Sequence, residues 1–451
     1  MTIKVDAIRE CLDGVVPGLV ATCSSDGVPN VTFLSQVEFV DSDHVALSYQ
    51  FFNKTRQNVL DNSVARLIVT HPLSAARYRL LVEYLRTETS GPLFERMKAK
   101  LAGIASHTGM SGVFRLLGSD VYRVVDVELV PGTTLPAPPP RRNALSALRT
   151  CVERLNACRD LDTLLNEMLA CLEAQFDIRH TMVLMLDEPA SRLYTIASRG
   201  YEESGVGSEI PLGQGVIGVA AREGTPIRIG HMASEYAYGR AIRAATEQST
   251  LSEALEMEIP MPGLAESRSQ LAVPIKACQR LLGVLYVESP EDLRFSYDDE
   301  DSLVALAGQL GIAIYLLQQA PESLEEAVAT APDRAAVGGA QVVVRHYAEN
   351  DSVFLNDQYL IKGVAGSIFW TLVRDYVDRN RTTFSNRELR VDPRIRLPDV
   401  SDNLEARLVL LMRRLADRSA CVQLEKIGRG RLGLSVRSPL KLVDVPTGLP
   451  R

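Results

Sequence analysis

The chain has 451 residues, enough for two to four domains at a usual length of roughly 100 to 200 residues each. Hydrophobic residues make up 46% and charged residues 23%, which excludes a wholly disordered or fibrous chain. The net charge of -7 hides an asymmetry. Residues 340–451 hold 19 Lys and Arg against 13 Asp and Glu, whereas residues 1–339 hold 30 against 43. The basic C-terminal quarter favours a polyanionic partner, and a solvated charged surface is the alternative.

The sequence shows no sign of a membrane span or a secretory signal. No stretch reaches about 18 uninterrupted apolar residues, and the start MTIKVDAIRECLDG lacks the basic-then-apolar order of a signal peptide. We therefore expect a cytoplasmic protein with no membrane partner. The seven scattered cysteines contain no CxxC pair, and His231 has no His or Cys at ligand spacing. Neither a disulfide framework nor a metal site is expected.

Two breaks in composition divide the chain. They are TTLPAPPPRRN at 133–143 and the Ala-, Pro- and acid-rich stretch at 321–340, both typical of linkers. The predicted domains are 1–132, 144–320 and 341–445. Each contains patterns of both helices and strands, so the predicted fold class is multidomain α+β.

The first segment begins with a short helix and continues as strand-like runs separated by turn residues. The runs are GLVATCSS, PNVTFLSQVEFV, HVALSYQFF and ARLIVTHP. A helical stretch near 92–105 precedes VFRLLGSDVYRVVDVELV, which predicts two more strands. The segment is typical of a small β-barrel with helical additions.

The motif FFNKTRQNVLDN at 51–62 directly follows a predicted strand. Side chains and helix N–H groups at such a turn can hold a phosphate, and a solvated turn is the alternative. Over about 1–130 the pattern resembles the FMN-binding split barrel of the pyridoxamine 5'-phosphate oxidase-like proteins. The resemblance implies a dimer with FMN between the subunits, and haem or another flavin-like cofactor is the alternative. The cofactor-binding residues it implies are Asn53, Lys54, Thr55, Arg56 and Asn58.

This segment departs from the oxidases at one point. Their strand before the motif carries an arginine for the phosphate, whereas PNVTFLSQV offers Asn30 and Gln36. Vitamin oxidation is therefore not expected, and no catalytic residue is assigned.

The middle segment opens with the amphipathic pattern LSALRTCVERLNACRDLDTLLNEMLACLEAQF and closes with DDEDSLVALAGQLGIAIYLLQQ, both predicted helices. Five strand-like runs lie between them, together with a helix after the glycines of LGQGVIGVAAREG. The runs are TMVLMLDE, LYTIASRG, PIRIGH, SQLAVPIKA and LLGVLYVES. This order predicts a sheet flanked by helices.

Three blocks of this segment, at 211–229, 269–289 and 295–314, closely resemble a GAF domain in content and order. The resemblance implies a small-molecule pocket backed by the sheet, and flanking helices that dimerise. Residues 231–268 stand where GAF domains place the cover of the pocket. The candidate ligand contacts there are Tyr236, Tyr238, Arg240 and Arg243, with solvated helix residues as the alternative.

Cys151 and Cys158 lie seven residues apart, on the same face of the opening helix as Leu148 and Leu155. Burial in the core is expected for both. In a dimer they could instead form a redox-responsive bridge or, with Cys171, hold a metal cluster.

The third segment predicts two strands, QVVVRHY and SVFLNDQYLI, then helices in GSIFWTLVRDYVDRN, SNRELR and DNLEARLVLLMRRLAD, and a final hairpin in CVQLEKIGRGRLGLSV. Ser385 with Glu388 and Asp402 with Glu405 are capping-box pairs that start the last two helices. Helices followed by a glycine-interrupted hairpin are typical of a winged helix. The segment resembles the winged-helix effector domain of response regulators over 341–437.

The last helix carries an apolar stripe, and its cations lie elsewhere on the surface. Arg413 is predicted opposite the stripe, with Arg407 and Arg414 on its flank and Leu410 exposed. This placement suits phosphates and base edges in a major groove, and a protein-contact surface is the alternative. The candidate DNA-binding residues are Arg407, Arg413 and Arg414 of the helix and Lys426, Arg429 and Arg431 of the hairpin.

The order of the segments favours a cytoplasmic, homodimeric regulator of transcription. The first two segments would bind a cofactor or small molecule and control binding of double-stranded DNA by the third. A flavin-dependent oxidoreductase with regulatory later domains is the alternative, because a flavin supplies its own chemistry and needs no visible acid-base pair. A scaffold that binds proteins through all three segments is the remaining hypothesis.

Overall fold

The computed structural model describes most of the chain. Its described residues are 3–12, 16–34, 36–50, 54–107, 115–136, 142–230, 259–319, 340–395, 397, 404–419, 421–428 and 430–445. For 102–107 and 319 the description covers the backbone alone.

The N-terminal part is built on one antiparallel sheet of seven strands in the order β2-β1-β5-β6-β7-β4-β3. A 3-10 helix, Val5–Leu12, precedes it. The strands are β1 Gly18–Cys23, β2 Pro29–Leu34, β3 Val37–Asp41, β4 His44–Tyr49, β5 Val64–Thr70, β6 Arg77–Glu88 and β7 Gly118–Val130. The helices are α1 Lys54–Asp61 and α2 Pro92–His107.

The strands differ from the sequence-based prediction at three places. The run PNVTFLSQVEFV forms two strands, β2 and β3, which lie at the two ends of the sheet. The segment 113–130 was expected to form two strands, but 118–130 is the single strand β7. Strand β6 was not predicted, because charged residues such as Arg79 and Glu83 interrupt its apolar pattern. Leu80 and Val82 of β6 are nonetheless fully buried. Alternation of sides in a strand lets one face join the core while the other carries charge.

The middle part has a six-stranded antiparallel sheet in the order β10-β9-β8-β13-β12-β11. Its strands are β8 His180–Asp187, β9 Arg192–Arg199, β10 Glu209–Pro211, β11 Ile227–Ile229, β12 Ser269–Ala277 and β13 Arg280–Ser289. Its helices are α3 Ala144–Asn156, α4 Leu161–Phe176, α5 Gly215–Glu223 and α6 Tyr297–Gln319. The predicted single opening helix is two helices, because the Asp160 side chain accepts a hydrogen bond from the Thr163 amide and caps a new start.

Helix α6 packs along β12 at very short range. A Cβ atom at Gly311 would lie 2.3 Å from the Lys276 carbonyl oxygen, so only glycine permits this approach. Elsewhere on its surface, α6 exposes Val304, Ile312 and Leu316. Residues Tyr297–Gln318 are long and apolar enough to cross a membrane by length and composition alone. Core helices of soluble proteins pass the same test, so this observation is weak evidence for a span.

The C-terminal part combines a four-stranded sheet, order β16-β15-β14-β20, with a three-stranded sheet, order β17-β19-β18. Its strands are β14 Val342–Tyr347, β15 Ser352–Leu355, β16 Gln358–Ile361, β17 Thr383–Ser385, β18 Val422–Gly428, β19 Arg431–Val436 and β20 Leu440–Val445. Its helices are α7 Gly363–Arg379, α8 Asn386–Val391 and α9 Leu404–Arg418.

Two details of this part bear on the prediction. The predicted strand SVFLNDQYLI is the hairpin β15–β16, because Asn356 takes a left-handed turn conformation with φ of 57°. The capping box of Ser385 and Glu388 is confirmed at the start of α8. The pair Asp402 and Glu405 cannot be compared, because Asp402 lies outside the described residues.

The middle part contacts both the N-terminal part and the C-terminal part. Helix α2 contacts β11 and α5, and α9 contacts α4 and β9.

Candidate functional site

The middle sheet separates two cores. One face packs against α3, α4 and α6 and includes Tyr194 and Ile196 of β9. The other face packs against α5 and includes Met182, Ala272 and Tyr286. Ala99 of α2 contacts the second core, so the N-terminal part helps to cover this second face, which we call the α5 face.

A buried carboxylate marks one end of the α5 face. Glu288 of β13 is two residues beyond Tyr286, hence on the same side of the strand, and only 2% exposed. Its Oε1 accepts a hydrogen bond of 3.0 Å from the Leu264 amide, and its Oε2 accepts one of 3.2 Å from the Tyr286 hydroxyl. Within the described ranges no lysine, arginine or histidine pairs with this carboxylate.

Polar groups with spare hydrogen-bonding capacity surround Glu288. Gln270 lies directly opposite it in the β12–β13 register, is 1% exposed, and its Oε1 finds no hydrogen-bond partner. The ring of Tyr201 stacks edge-on against His180 at 5.6 Å between centroids. Burial, and then the neighbouring Glu288, raise the pKa of Tyr201 above its usual value, so its hydroxyl stays a neutral donor.

This arrangement has an electrostatic consequence. An ionised carboxylate buried without a countercharge costs roughly several kcal/mol in solvation. Two neutral hydrogen-bond donors at Glu288 reduce this cost without supplying the opposite charge. The end of the α5 face therefore suits a ligand that carries an ammonium or guanidinium group flanked by aromatic rings.

The predicted ligand residues Tyr236, Tyr238, Arg240 and Arg243 lie outside the described residues. Sequence reasoning missed Glu288. The available signal was a lone carboxylate at the end of the apolar run LLGVLYVES, where a buried strand would be expected to carry apolar side chains only.

In the N-terminal part, the predicted phosphate-binding arginine is already engaged. Arg56 forms an ion pair with Asp120, donates a 2.8 Å hydrogen bond to the Thr87 hydroxyl, and lies 4.3 Å from the Tyr49 ring centroid. Burial would lower the pKa of Arg56, but Asp120 raises it. A carboxylate at this position repels a phosphate and competes with it for the guanidinium.

The other predicted cofactor residues are also placed. The Thr55 hydroxyl accepts a hydrogen bond of 2.7 Å from the side-chain amide of Asn30, and the buried side chain of Asn58 donates one to the Thr22 hydroxyl. Lys54 is exposed at the start of α1, and Asn53 lies outside the described residues. Of the described set, Lys54 alone presents an open cation. FMN or haem binding here stays a prediction.

In the C-terminal part, the predicted recognition helix α9 lies against the middle part. Arg413 donates hydrogen bonds of 2.8 and 2.9 Å to Asp162 Oδ1, one of 2.7 Å to Asn166, and one of 3.1 Å to the Ile196 carbonyl oxygen. The expectation that Arg413 stands on an open outer face is therefore wrong: the arginine joins α9 to α4 and β9.

The flanking arginines are buried as well. Arg407 is 2.9 Å from Asp187 and 4.8 Å from the Tyr194 ring centroid. Arg414 donates to the Leu360 carbonyl oxygen, and burial lowers its pKa. Leu410, expected to be exposed, is 5% exposed. These expectations are wrong for one reason: their partners lie in distant parts of the chain, which helical periodicity does not reveal.

The hairpin residues are distributed differently. Lys426 donates a hydrogen bond of 2.8 Å to the Glu405 carboxylate, and its Nζ lies 3.6 Å from the Asp160 carboxylate. Arg431 is exposed, and Arg429 lies outside the described residues. DNA contact by any of the predicted residues stays a prediction.

The cysteines of the opening helices lie in the core. Cys151 of α3 and Cys171 of α4 are fully buried free thiols. The hydrogen bond with the Cys171 thiol raises the pKa of Cys151, and burial raises it further. The expected burial of Cys151 is confirmed. Cys158 is half-buried and lies beyond the end of α3, where its thiol donates to the Arg154 carbonyl oxygen. No group of described His, Cys, Asp and Glu residues has the arrangement of a metal site.

Comparison with known proteins adds a family to this geometry. The sequence profile of the GAF domain matches residues 160–314. Among curated proteins, none matches the sequence. The solved structures that it resembles include the GAF domain of an Acinetobacter phosphoenolpyruvate-protein phosphotransferase, with 25% identity, coverage of 38% of this chain and 92% of that one, and a TM-score of 0.30.

Two further structures resemble the chain. The free methionine-R-sulfoxide reductase of Neisseria meningitidis, solved with its substrate, is 21% identical over 40% of this chain and 92% of that one, with a TM-score of 0.31. An FMN-binding protein from Syntrophomonas wolfei subsp. wolfei is 18% identical over 28% of this chain and 84% of that one, with a TM-score of 0.24.

Proposed function

We propose, starting from the GAF domain that residues 160–314 form, that the protein is a cytoplasmic sensor that regulates transcription. Its GAF domain binds a small molecule with an ammonium or guanidinium group. Its C-terminal part, as a winged helix, delivers the response on double-stranded DNA. Glu288 carries the sensing half of the proposal, because it is a buried carboxylate that a cationic ligand would complete.

The sensing half is tested by ligand binding to the full-length protein. We expect calorimetric titration with methylammonium, guanidinium, choline and L-arginine chlorides to detect binding of at least one of them. Glu288→Gln should weaken that binding at least tenfold, because a charge-assisted contact becomes a neutral one in a buried place. Glu202→Gln is the matched control, since Glu202 is an exposed acid of the same domain. Equal binding to wild-type protein and Glu288→Gln would contradict the proposal.

The output half depends on release of α9. In the arrangement described above, Arg413 and Arg407 bind carboxylates of the GAF domain, so α9 meets DNA only after undocking. A ligand that binds the docked and undocked arrangements with different affinities shifts the balance between them. The sensed molecule thereby changes the fraction of protein in which α9 is undocked.

Selection of genomic fragments at near-physiological salt tests the output half. We expect Asp162→Ala, which removes the carboxylate that holds Arg413, to retain more DNA than the wild-type protein does. Glu202→Ala makes the same change in net charge without touching α9 and should retain as much as the wild type. A sequence motif enriched in proportion to α9 release supports regulation of transcription. No enrichment with any variant favours the scaffold hypothesis instead.

A homodimer through α6 belongs to the same proposal. Its exposed surface carries Val304, Ile312 and Leu316, which lie at multiples of four residues and so form one row along the helix. Large apolar side chains in a row on a surface helix are typical of helix pairing. Light scattering should show a dimer for the wild type and a monomer for Ile312→Glu with Leu316→Glu, with Val391→Glu as an exposed apolar control on α8. A wild-type monomer would contradict this part of the proposal.

A further inference from the structure

A cavity lies between the GAF domain and the C-terminal part, on the side of the sheet opposite the α5 face. Its volume is about 330 Å³, within the range of small-molecule sites. Walls from both parts enclose it, including β9 and β10 on one side and β16, α7 and α9 on the other. We call it the interdomain cavity.

Positive charge predominates on its walls. The charged lining residues are Asp187, Arg192, Glu209, Lys362 and Arg407. Glu209 is shared by two of the cations, at 3.2 Å from Arg192 and 3.1 Å from Lys362. Three cations against two carboxylates leave the lining with a formal excess of one positive charge.

The start of α7 adds to this field. Gly363, Val364 and Ala365 line the cavity, and the preceding Lys362 makes no side-chain hydrogen bond to cap the helix. The Gly363 amide is used by the Asn350 carbonyl oxygen. A Cβ atom at Gly363 would meet nothing within 4 Å, so open space lies in front of this helix terminus. Helix N-termini favour negative charge.

The remainder of the lining is mostly aromatic or apolar, with Asn350 as a polar member. Tyr194 and Tyr359 contribute rings, and Ile259, Ile361 and Leu410 contribute aliphatic side chains. A bare inorganic ion would leave most of this surface without contacts, whereas an organic anion would cover it.

We propose that the interdomain cavity binds a small organic anion, whose phosphate or carboxylate group lies between Arg192, Lys362 and the start of α7. Both parts of the protein form the walls, so the anion binds the docked arrangement and stabilises it. The cavity is therefore a second effector site that opposes release of α9. It does not depend on the ligand proposed for Glu288.

The test uses the full-length protein and thermal unfolding. Inorganic phosphate, glycerol phosphate, AMP and succinate are compared with chloride at equal ionic strength. We expect a saturable rise in Tm of about 2 to 4 °C with at least one organic anion. Comparing the rise in Tm with glycerol phosphate and with succinate shows whether the site prefers a phosphate or a carboxylate group. Comparing AMP with glycerol phosphate shows whether the cavity accepts a ring.

Variants locate the binding. Lys362→Ala and Arg192→Ala should each weaken binding at least fivefold, and Glu209→Gln should strengthen it about threefold by removing a competing carboxylate. Lys441→Ala is the control, because Lys441 is exposed on β20 of the same part. Hydrogen exchange over residues 360–368 should slow when the anion binds.

Two results would overturn the proposal. One is a Tm that no tested anion raises above its value in chloride. The other is anion binding that Lys362→Ala, Arg192→Ala and Glu209→Gln all leave unchanged. Glu288→Gln separates the two sites, because it should weaken binding of the cationic probes at least tenfold and leave the anion effect intact.

Discussion

The GAF domain meets its two neighbours through very different surfaces. The contact with the N-terminal part, which we call the closed contact, lies beside a buried ionic network inside that part: Glu38 is 2% exposed and held by Lys100, with Nζ 2.8 Å from Oε2, and by Arg96 at 2.9 Å. Against the C-terminal part, the ion pairs of Arg413 with Asp162 and of Lys362 with Glu209 are partly exposed, and the second borders a cavity. The pair of Arg407 with Asp187 at this contact is more buried.

The closed contact also contains a layer of rings and cations. Tyr297 of α6 lies 6.2 Å from the Phe39 ring and 4.1 Å from the guanidinium carbon of Arg228, which in turn is 2.6 Å from Glu300. Lys100 of α2 lies 5.6 Å from the same ring. Burial alone would raise the pKa of Glu38, but Lys100 and Arg96 hold it below its usual value.

The difference indicates different roles. Opening the N-terminal contact would separate Tyr297, which is 6% exposed, from Phe39 and Lys100 and expose its ring to water. Partly exposed ion pairs exchange their partners for water at little cost. The N-terminal contact is therefore suited to hold two parts in a fixed arrangement, and the C-terminal contact is suited to open and close.

The largest expected effect is in the ionic network beside the closed contact. Glu38→Gln leaves buried Lys100 and partly exposed Arg96 without their carboxylate, so we expect a loss of about 3 to 5 kcal/mol in the free energy of unfolding. Urea denaturation of the full chain measures it. Glu83→Gln is the control, because Glu83 and its partner Arg123 are exposed and an exposed pair contributes at most about 1 kcal/mol. Similar losses in both variants would show that the network is not a buried one.

A smaller effect is expected at the opening contact. Arg413→Ala removes the hydrogen bonds to Asp162 and Asn166, which should weaken docking of α9 by about 1.5 to 3 kcal/mol while the C-terminal part stays folded. Hydrogen exchange should rise over the docked side of α9 and over α4 near Asp162.

Arg437→Ala is the matched control for that experiment, because its described contact is with Gln423 of the same part. Unchanged exchange in Arg413→Ala would mean that apolar packing, rather than this arginine, holds α9 on the GAF domain.

The rim of the closed contact should respond least among the ionic contacts. Arg9 binds Asp298 and Asp301 at 2.8 and 2.7 Å and lies over Tyr297, but both carboxylates are exposed. Arg9→Ala should cost about 0.5 to 1 kcal/mol in urea denaturation. Lys4→Ala, which removes a pair within the N-terminal part, is its comparison. A loss as large as that of Glu38→Gln would erase the distinction between centre and rim.

The sequence predicts most elements of this fold and the position of the GAF domain, because periodicity and turn residues are local signals. The partners of the cations are not local. Arg56 meets Asp120 across 64 positions, and Arg413 meets Asp162 across 251. A pattern therefore places an arginine on a helix face without revealing whether a carboxylate covers that face. Strand β6 was missed for a related reason, since its charged residues are supported by neighbouring strands.

The smallest expected effect is a gradual change of stability with pH, which arises at His346 near the wall of the interdomain cavity. His346 of β14 lies between Asp444, at 2.8 Å, and Asp351, at 3.1 Å, close to the Asn350 turn that lines the cavity. Burial would lower the pKa of His346, but the two carboxylates raise it above its usual value. The folded state thus holds the proton more tightly than the unfolded state does. The stabilisation is complete below the unfolded pKa of about 6.5 and is lost as pH rises through the folded pKa.

The ring of His346 stacks on Trp370 with 4.8 Å between centroids and 13° between planes, and Trp370 is the single tryptophan of the chain. We therefore expect tryptophan fluorescence to change in one titration step with a midpoint above pH 6.5, together with a small fall in stability over the same range. His346→Gln should remove both changes, whereas His71→Gln, on the N-terminal part, should leave them. A midpoint below 6.5 would mean that burial outweighs the two carboxylates, and the C-terminal part would then gain stability with rising pH.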